Sequence, residues 1–341
     1  MGSKTETTTR NPRPLSRREF VRILSATAAS GGMISAALSG YLLTPSQRAE
    51  AAEAILDKIG KLPKRRLGSR MGHMEVSRIV YCQDNNPEMI GPCLAAGMNF
   101  IHKASYWPNR DAVPAELKRL PRESYYTDIT VDNTSPGHNP DNYDEAYNQV
   151  IEQLDRTGFK YFDIFRAHYG WHTLASFNKG KNASYEAFKR LKREGKVRYF
   201  GVSQHAGPRE NYERYATMIQ AQIESGVIDS MQLWISYTST PDELEAFEKA
   251  HKAGIGITAM KTIAQGYGKM RGDAERQAEL KAAGMPGRAC IRYVLLGLKG
   301  SDGKPYVDCC VSSLRNFQQL EENLGAVADR AAALDGLEVT A

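Results

Sequence analysis

Between residues 78 and 312 the chain alternates short apolar runs with longer stretches of helical period. The runs are RIVYC (78–82), MNFIH (98–102), SYYTDITV (124–131), KYFDIFRA (160–167), VRYFGVS (197–203), SMQLWIS (230–236), GIGITAM (254–260) and YVDCCVS (306–312). They are rich in β-branched and aromatic side chains and too short for buried helices, so they predict eight strands. Between them, YDEAYNQVIEQLDRTG (143–158), SYEAFKRLKREGK (184–196), PDELEAFEKAHKAG (241–254) and LRNFQQLEENLGAVADRAA (314–332) gather their apolar positions on one helical face. Glycines follow several of them where a helix C-cap falls. Continuous apolar strands alternating with amphipathic helices call for a parallel sheet covered on its outer face. Eight such units over residues 67–331 match a (β/α)8 TIM barrel, usually about 250 residues long. An open doubly wound sheet fits less well, because no glycine-rich turn follows the first strand.

Ahead of the barrel, Ser16-Arg17-Arg18-Glu19-Phe20-Val21 precedes the uncharged stretch ILSATAASGGMISAALSGYLL, and AEAAEA then supplies small residues suited to signal-peptidase cleavage. The arrangement resembles a twin-arginine (Tat) export signal. It implies passage through the Tat machinery, a periplasmic or otherwise exported protein, and membrane contact only through the signal segment. A retained anchor is the alternative, since the stretch is nearly long enough to span a bilayer. The expected organisation is a signal peptide at 1–51, a helical and basic linker at 52–66, the barrel at 67–331 and a tail at 332–341.

The signal also changes how the charge is read. The chain has 341 residues and a net charge of +6, but residues 1–51 hold seven basic and three acidic side chains, leaving +2 for the rest. A nearly balanced domain without a basic stripe gives no electrostatic ground for nucleic-acid binding. With 41% hydrophobic and 25% charged residues it can build one large core. Cysteines 82, 93, 290, 309 and 310 are odd in number and lack any CxxC or zinc spacing, so neither a disulfide framework nor a spaced metal site is expected. Cys82 and Cys310, on the first and last strands, remain a candidate pair.

In a barrel, chemistry sits where strands end on their C-terminal side. Those positions are Cys82, His102, Thr130 with Asp132, His168, Ser203 with Gln204, Gln232, Met260 with Lys261, and Ser312 with Ser313. A histidine titrates near neutrality and can donate a proton there. At the start of the last helix, Arg315 offers a planar fork for a phosphate beside free helix N–H groups; its bland reading is a solvated surface arginine. Cys82, His102, His168, His205, Met260 and Cys310 form a soft donor set that would suit copper or zinc if they met. Lys103 falls on the opposite face of its strand from His102. Trp107, Trp171 and Trp234 are candidates to wall a pocket.

GMNFI, TGFKYFDIFRAH, LKREGKVRYFGVSQH, GIGITAMK and LRNFQQLEEN follow the order and spacing of the aldo/keto reductases, and the sequence resembles that family over about the whole barrel. The resemblance implies NADP(H) across the barrel mouth and hydride transfer to or from a small-molecule carbonyl or alcohol, with a tyrosine hydroxyl donating the proton. His168 matches the histidine ending strand four, and Asp163 the acidic residue within it. Ser203, Gln204 (where Asn is usual) and Gln232 match binders of the nicotinamide amide. Ser313, Arg315, Asn316, Gln319 and Asn323 match one form of the 2′-phosphate and adenine motif.

The catalytic set departs from the family pattern. Strand two ends in His102-Lys103-Ala104 rather than Asp-Thr-Ala, Trp107 stands at the tyrosine position with Tyr106 one place early, and strand three offers Thr130, Val131 and Asp132 but no lysine. A tyrosine with a pKa of about 10 is a useful acid at neutral pH only when neighbours tune it. Two readings follow. In one, an exported NADP(H)-linked oxidoreductase moves the proton with His168 and either Tyr106 or His102. In the other, the barrel has lost this reduction and serves as a binding, assembly or metal-binding protein outside the cytoplasm.

Overall fold

The computed structural model describes residues 43–82, 87–107, 110–132, 142–168, 173–205, 214–263 and 286–327. The export motif, Trp171 and the tail at 332–341 lie outside them. In chain order the elements are α1 (Pro45–Ile59), β1 (Lys64–Arg66), β2 (Glu75–Ser77), β3 (Ile79–Cys82), α2 (Ile90–Ala95), β4 (Phe100–His102), α3 (Ala115–Arg119), β5 (Tyr126–Val131), α4 (Tyr143–Thr157), β6 (Phe162–His168), α5 (Leu174–Arg193), β7 (Val197–Gln204), α6 (Tyr215–Glu224), β8 (Ser230–Trp234), α7 (Pro241–Lys252), β9 (Gly256–Met260), α8 (Pro286–Arg292), β10 (Cys309–Ser312) and α9 (Phe317–Val327).

Strands β3 to β10 pair in sequence order, all parallel, and β10 pairs back to β3, closing the expected (β/α)8 barrel. Alternation explains why both faces bury side chains. Ile129, Val131, Phe165, Ala167, Phe200, Val202 and Leu233 pack outward with the helices. Val80, Phe100, Ile164 and Cys309 point inward and form the barrel's apolar floor. The helices end where local chemistry stops them: Asn142 Oδ1 accepts the Glu145 N–H (3.2 Å) to open α4, and Gly158, at φ 72°, closes it.

Two features precede the barrel. Helix α1 begins before the expected boundary at residue 51, because Thr44 and Gln47 cap each other reciprocally and Pro45 takes the first helical position. Its buried Ala51, Ala52, Ile55 and Ile59 join the barrel's outer core, and the helix packs on α2 and α9. The stretch expected as a basic linker contains β1, which pairs antiparallel with β2. This hairpin seals the N-terminal end of the barrel, packing Leu67, Met71, Met74 and Val76 against the floor. Its turn is pinned at Gly68, whose N–H donates to Asp308 Oδ2 (3.1 Å). Asp308 also accepts the Ile257 N–H (3.0 Å) and pairs with Arg65 Nε (3.0 Å). Among the described residues no helix is long and apolar enough to cross a membrane.

Gly68 has φ 62°, and a Cβ there would lie 2.4 Å from Gly256 N and 2.8 Å from Gly254 O. Gly68→Ala is therefore expected to lower stability by about 2 kcal/mol or more in urea unfolding. An unchanged midpoint would show that the hairpin is not held against β9.

Candidate active site

One step above the floor the inward positions turn polar. His102, Asp128, Arg166, Gln232 and Thr258 come from β4, β5, β6, β8 and β9 and meet inside the barrel. His102 Nδ1 lies 2.7 Å from Asp128 Oδ1, which also accepts the Lys103 N–H (3.1 Å). Arg166 Nε donates to Asp128 Oδ2 at 2.8 Å, and its Nη2 reaches Thr258 Oγ1 at 3.4 Å. Gln232 Nε2 lies 3.1 Å from His102 Nε2 and 3.7 Å from Met260 Sδ. Asp128 and Arg166 are fully buried and His102 is 3% exposed. Burial pushes the Asp128 carboxyl up, but His102 and Arg166 outweigh it and hold the group below the usual carboxylate range. Gln232 Oε1, Arg166 Nη1 and Thr130 Oγ1 are buried without a hydrogen-bond partner among the described residues.

The C-terminal mouth is walled by rings. Tyr106 lies 5.7 Å from His168 between centroids, His168 lies 5.1 Å from His205, and His205 lies 6.4 Å from Trp234. Trp107 stands edge-on to His102 at 5.1 Å and 6.3 Å from Tyr106. Tyr106 is 41% exposed on the rim, whereas His168, His205 and Trp234 are buried. Burial first, then His168 and Lys261, holds His205 well below its ordinary pKa, so its ring is neutral. Lys261, just past β9, has a left-handed φ of 58°, an uncommon conformation for a side chain of that length.

The structure thus brings His102, Tyr106 and His168 to one end of the barrel, but with unequal access. Tyr106 reaches the surface; His102 is buried with a neighbour at each ring nitrogen. His168 and Gln232 are buried to a similar degree, so burial by itself does not set His102 apart from them as a candidate. Lys103 does face away, its Nζ donating to Ala112 O (3.2 Å), and burial lowers it to about 7 against the opposing pull of Asp111.

The cofactor candidates also divide. Ser203 is in register with His168 and Gln232 and shares their inward face. Gln204, expected beside the nicotinamide, points the other way. Its Oε1 accepts from Gln222 Nε2 (2.9 Å) on α6 and its Nε2 donates to His205 O (3.2 Å), because neighbouring strand residues take opposite faces. Ser313 and Arg315 are exposed at the start of α9. Asn316 Oδ1 accepts the Gln319 N–H (2.9 Å) and Gln319 Oε1 accepts the Arg315 N–H (2.7 Å), so this pair caps the helix. Asn323 is buried and donates to Ser312 Oγ at 2.6 Å. The residues present still fit a nicotinamide dinucleotide, NAD(P)H: Gln232 Oε1 is a buried acceptor with no partner among the described residues, suited to a carboxamide N–H, and Arg315 stands at a helix N-terminus suited to a phosphate. Gln204 does not fit.

The soft-metal set does not assemble: among the described residues no three potential histidine, cysteine or carboxylate ligands gather. Cys82 is level with inward His102, whereas Cys310 packs in the helix-facing core, and the two do not form a disulfide. Sequence reasoning missed Asp128, Arg166 and Thr258. The signal was there, since Asp128 and Arg166 are charges inside apolar runs, two places before strand-end Thr130 and His168.

A family model described as the aldo/keto reductase family matches residues 82–337. An aldo-keto reductase from Bacillus halodurans, in its holo form, superposes with a TM-score of 0.58 at 19% identity, covering 78% of this chain and 90% of that one. An aldo/keto reductase from Brucella melitensis does so with a TM-score of 0.55 at 18% identity, covering 80% and 98%. At such identities the likeness concerns the fold. No curated protein matches the chain.

Removing one partner of a buried ion pair typically costs about 3–5 kcal/mol, so Asp128→Asn is expected to destabilise on that scale at neutral pH. Because the folded carboxyl titrates below its unfolded value, its contribution is full above about pH 4 and is lost as pH falls through the folded pKa. The gap between wild type and variant should therefore hold steady at neutral and mildly acidic pH and narrow only below about pH 4 in urea unfolding. A gap independent of pH would contradict the buried pair.

Proposed function

The chain belongs to the aldo/keto reductase family, whose chemistry is NAD(P)-linked oxidoreduction of small carbonyl compounds, and from that premise we propose that it is an exported NADP(H)-linked oxidoreductase. The observation that carries this reading is the Tyr106 ring at 5.7 Å from His168. Although Tyr106 stands one residue early in the chain, its hydroxyl-bearing ring still meets the histidine that ends β6.

When bound, the cofactor supplies or receives a hydride at the nicotinamide ring. The chain's own residues do the rest. Arg315 at the start of α9 holds the 2′-phosphate, and Ser203 and Gln232 hold the carboxamide. Tyr106 passes the proton to the carbonyl oxygen and His168 orients that oxygen, a division suited to the exposed Tyr106 and to a His102 ring with a neighbour at each nitrogen. Negative charge develops on the oxygen during reduction, so donors fixed in advance on strand ends lower the barrier most. Trp107 and Trp234 narrow the mouth and limit water.

The Arg17-Arg18 motif and the small-residue stretch that follows support export through the Tat machinery. Folded export with nucleotide already seated requires slow release, since NADP(H) is not expected to be replenished outside the cytoplasm.

Fluorescence titration with NADPH and NADH tests this reading. Arg315→Glu is expected to weaken NADPH by about tenfold or more, the scale of a lost charge-assisted hydrogen bond, and to leave NADH nearly unchanged. Binding of neither nucleotide by the wild type would overturn the proposal and leave a barrel without its reductant. With a reducible carbonyl substrate, Tyr106→Phe should lower turnover by about 10²–10⁴-fold while NADPH affinity stays within about twofold.

A further inference from the structure

We infer that the buried Arg166–Asp128–His102 chain fixes the polarity of the Gln232 amide, so that the mouth selects a ligand group that donates a hydrogen bond over one that only accepts. The inference rests on the cofactor reading above and narrows it: the preferred group is the carboxamide N–H2 of a nicotinamide, against a carboxylate on the same ring.

The chain of reasoning starts at Asp128. An ionised carboxylate only accepts, so His102 Nδ1, 2.7 Å from Oδ1, carries the proton between them. Arg166, at 2.8 Å from Oδ2, already balances the charge of Asp128. On the other side of the ring the Gln232 amide nitrogen, which only donates, faces His102 Nε2 at 3.1 Å. His102 Nε2 is then a bare lone pair. Gln232 must turn its amide nitrogen to that lone pair, at 3.1 Å, with Met260 Sδ as a weak acceptor on the same nitrogen at 3.7 Å.

The consequence falls on the other end of the amide. Gln232 Oε1 is left as the acceptor, and it is buried with no partner among the described residues. A buried acceptor in that state gains from a ligand donor and is penalised by a second acceptor placed against it. The reversed amide would require the proton on His102 Nε2 instead of on Nδ1, where Asp128 Oδ1 accepts it at 2.7 Å. Asp128 and Arg166 act through His102 and are positioning residues; Gln232 is the group that meets the ligand.

The test compares three ligands on the purified full-length protein: NADP+, nicotinic acid adenine dinucleotide phosphate, and 2′,5′-ADP, which lacks the nicotinamide half. The wild type should bind NADP+ at least about tenfold more tightly than the acid analogue, as expected where a site's polar groups are left unmatched. His102→Phe, which keeps a ring against Trp107 but has no nitrogen, should reduce that preference to within about threefold, and 2′,5′-ADP affinity should not change. Asp128→Asn should do the same wherever it folds, with 2′,5′-ADP binding as its folding control. A variant that keeps the full preference, or a wild type that binds both dinucleotides equally, would overturn the inference while leaving the cofactor reading intact. A wild type that binds none of the three would overturn both.

Discussion

The Asp128 carboxylate is fully buried in the middle of the barrel, and the arrangement of its neighbours follows from that fact. An unpaired charge at that depth would be heavily penalised, so β4 and β6 bring His102 and Arg166 to its two oxygens, and the Lys103 N–H adds a third donor. In a low-dielectric interior such bonds are stronger and strictly oriented. The orientation passes from Asp128 to His102 and from His102 to Gln232 across the barrel. The hairpin at the N-terminal end closes the region from below by packing Leu67 and Met71 against the apolar floor.

Above this level the mouth has a different character. Its histidine, tryptophan and tyrosine rings present π-faces and hydroxyl chemistry, and its exposed member is Tyr106. In the proposed reading the two levels divide the work: the buried one orients, and Tyr106 on the rim exchanges the proton. Where other members pair an aspartate and a lysine with the tyrosine, this chain has a histidine beside a deeper aspartate. At strand two His102 helps to hold the buried level beneath the mouth, through Asp128 on one side of its ring and Gln232 on the other.

Much of the fold was legible because its signal is periodic. Each of the eight apolar runs became a barrel strand, and the helices between them stop at caps such as Gly158. The hairpin at 64–77 was not, since its strands have three residues each and Lys64, Arg65 and Arg66 read as a solvated link. At the site, alternation alone would have separated inward Ser203 from outward Gln204, but the motif named both. His168 was readable from its strand end. The Asp128–Arg166 pair was not, because a charge inside an apolar strand reveals a partner only when the closed barrel sets Thr130 beside Arg166.

The account turns on which nitrogen of His102 carries the proton. Long-range 1H–15N correlation spectra of histidine-labelled protein near neutral pH, assigned against His102→Phe, read this directly. Protonated Nδ1 and bare Nε2 are predicted; a proton on Nε2 would reverse the Gln232 amide and contradict the role given to Asp128.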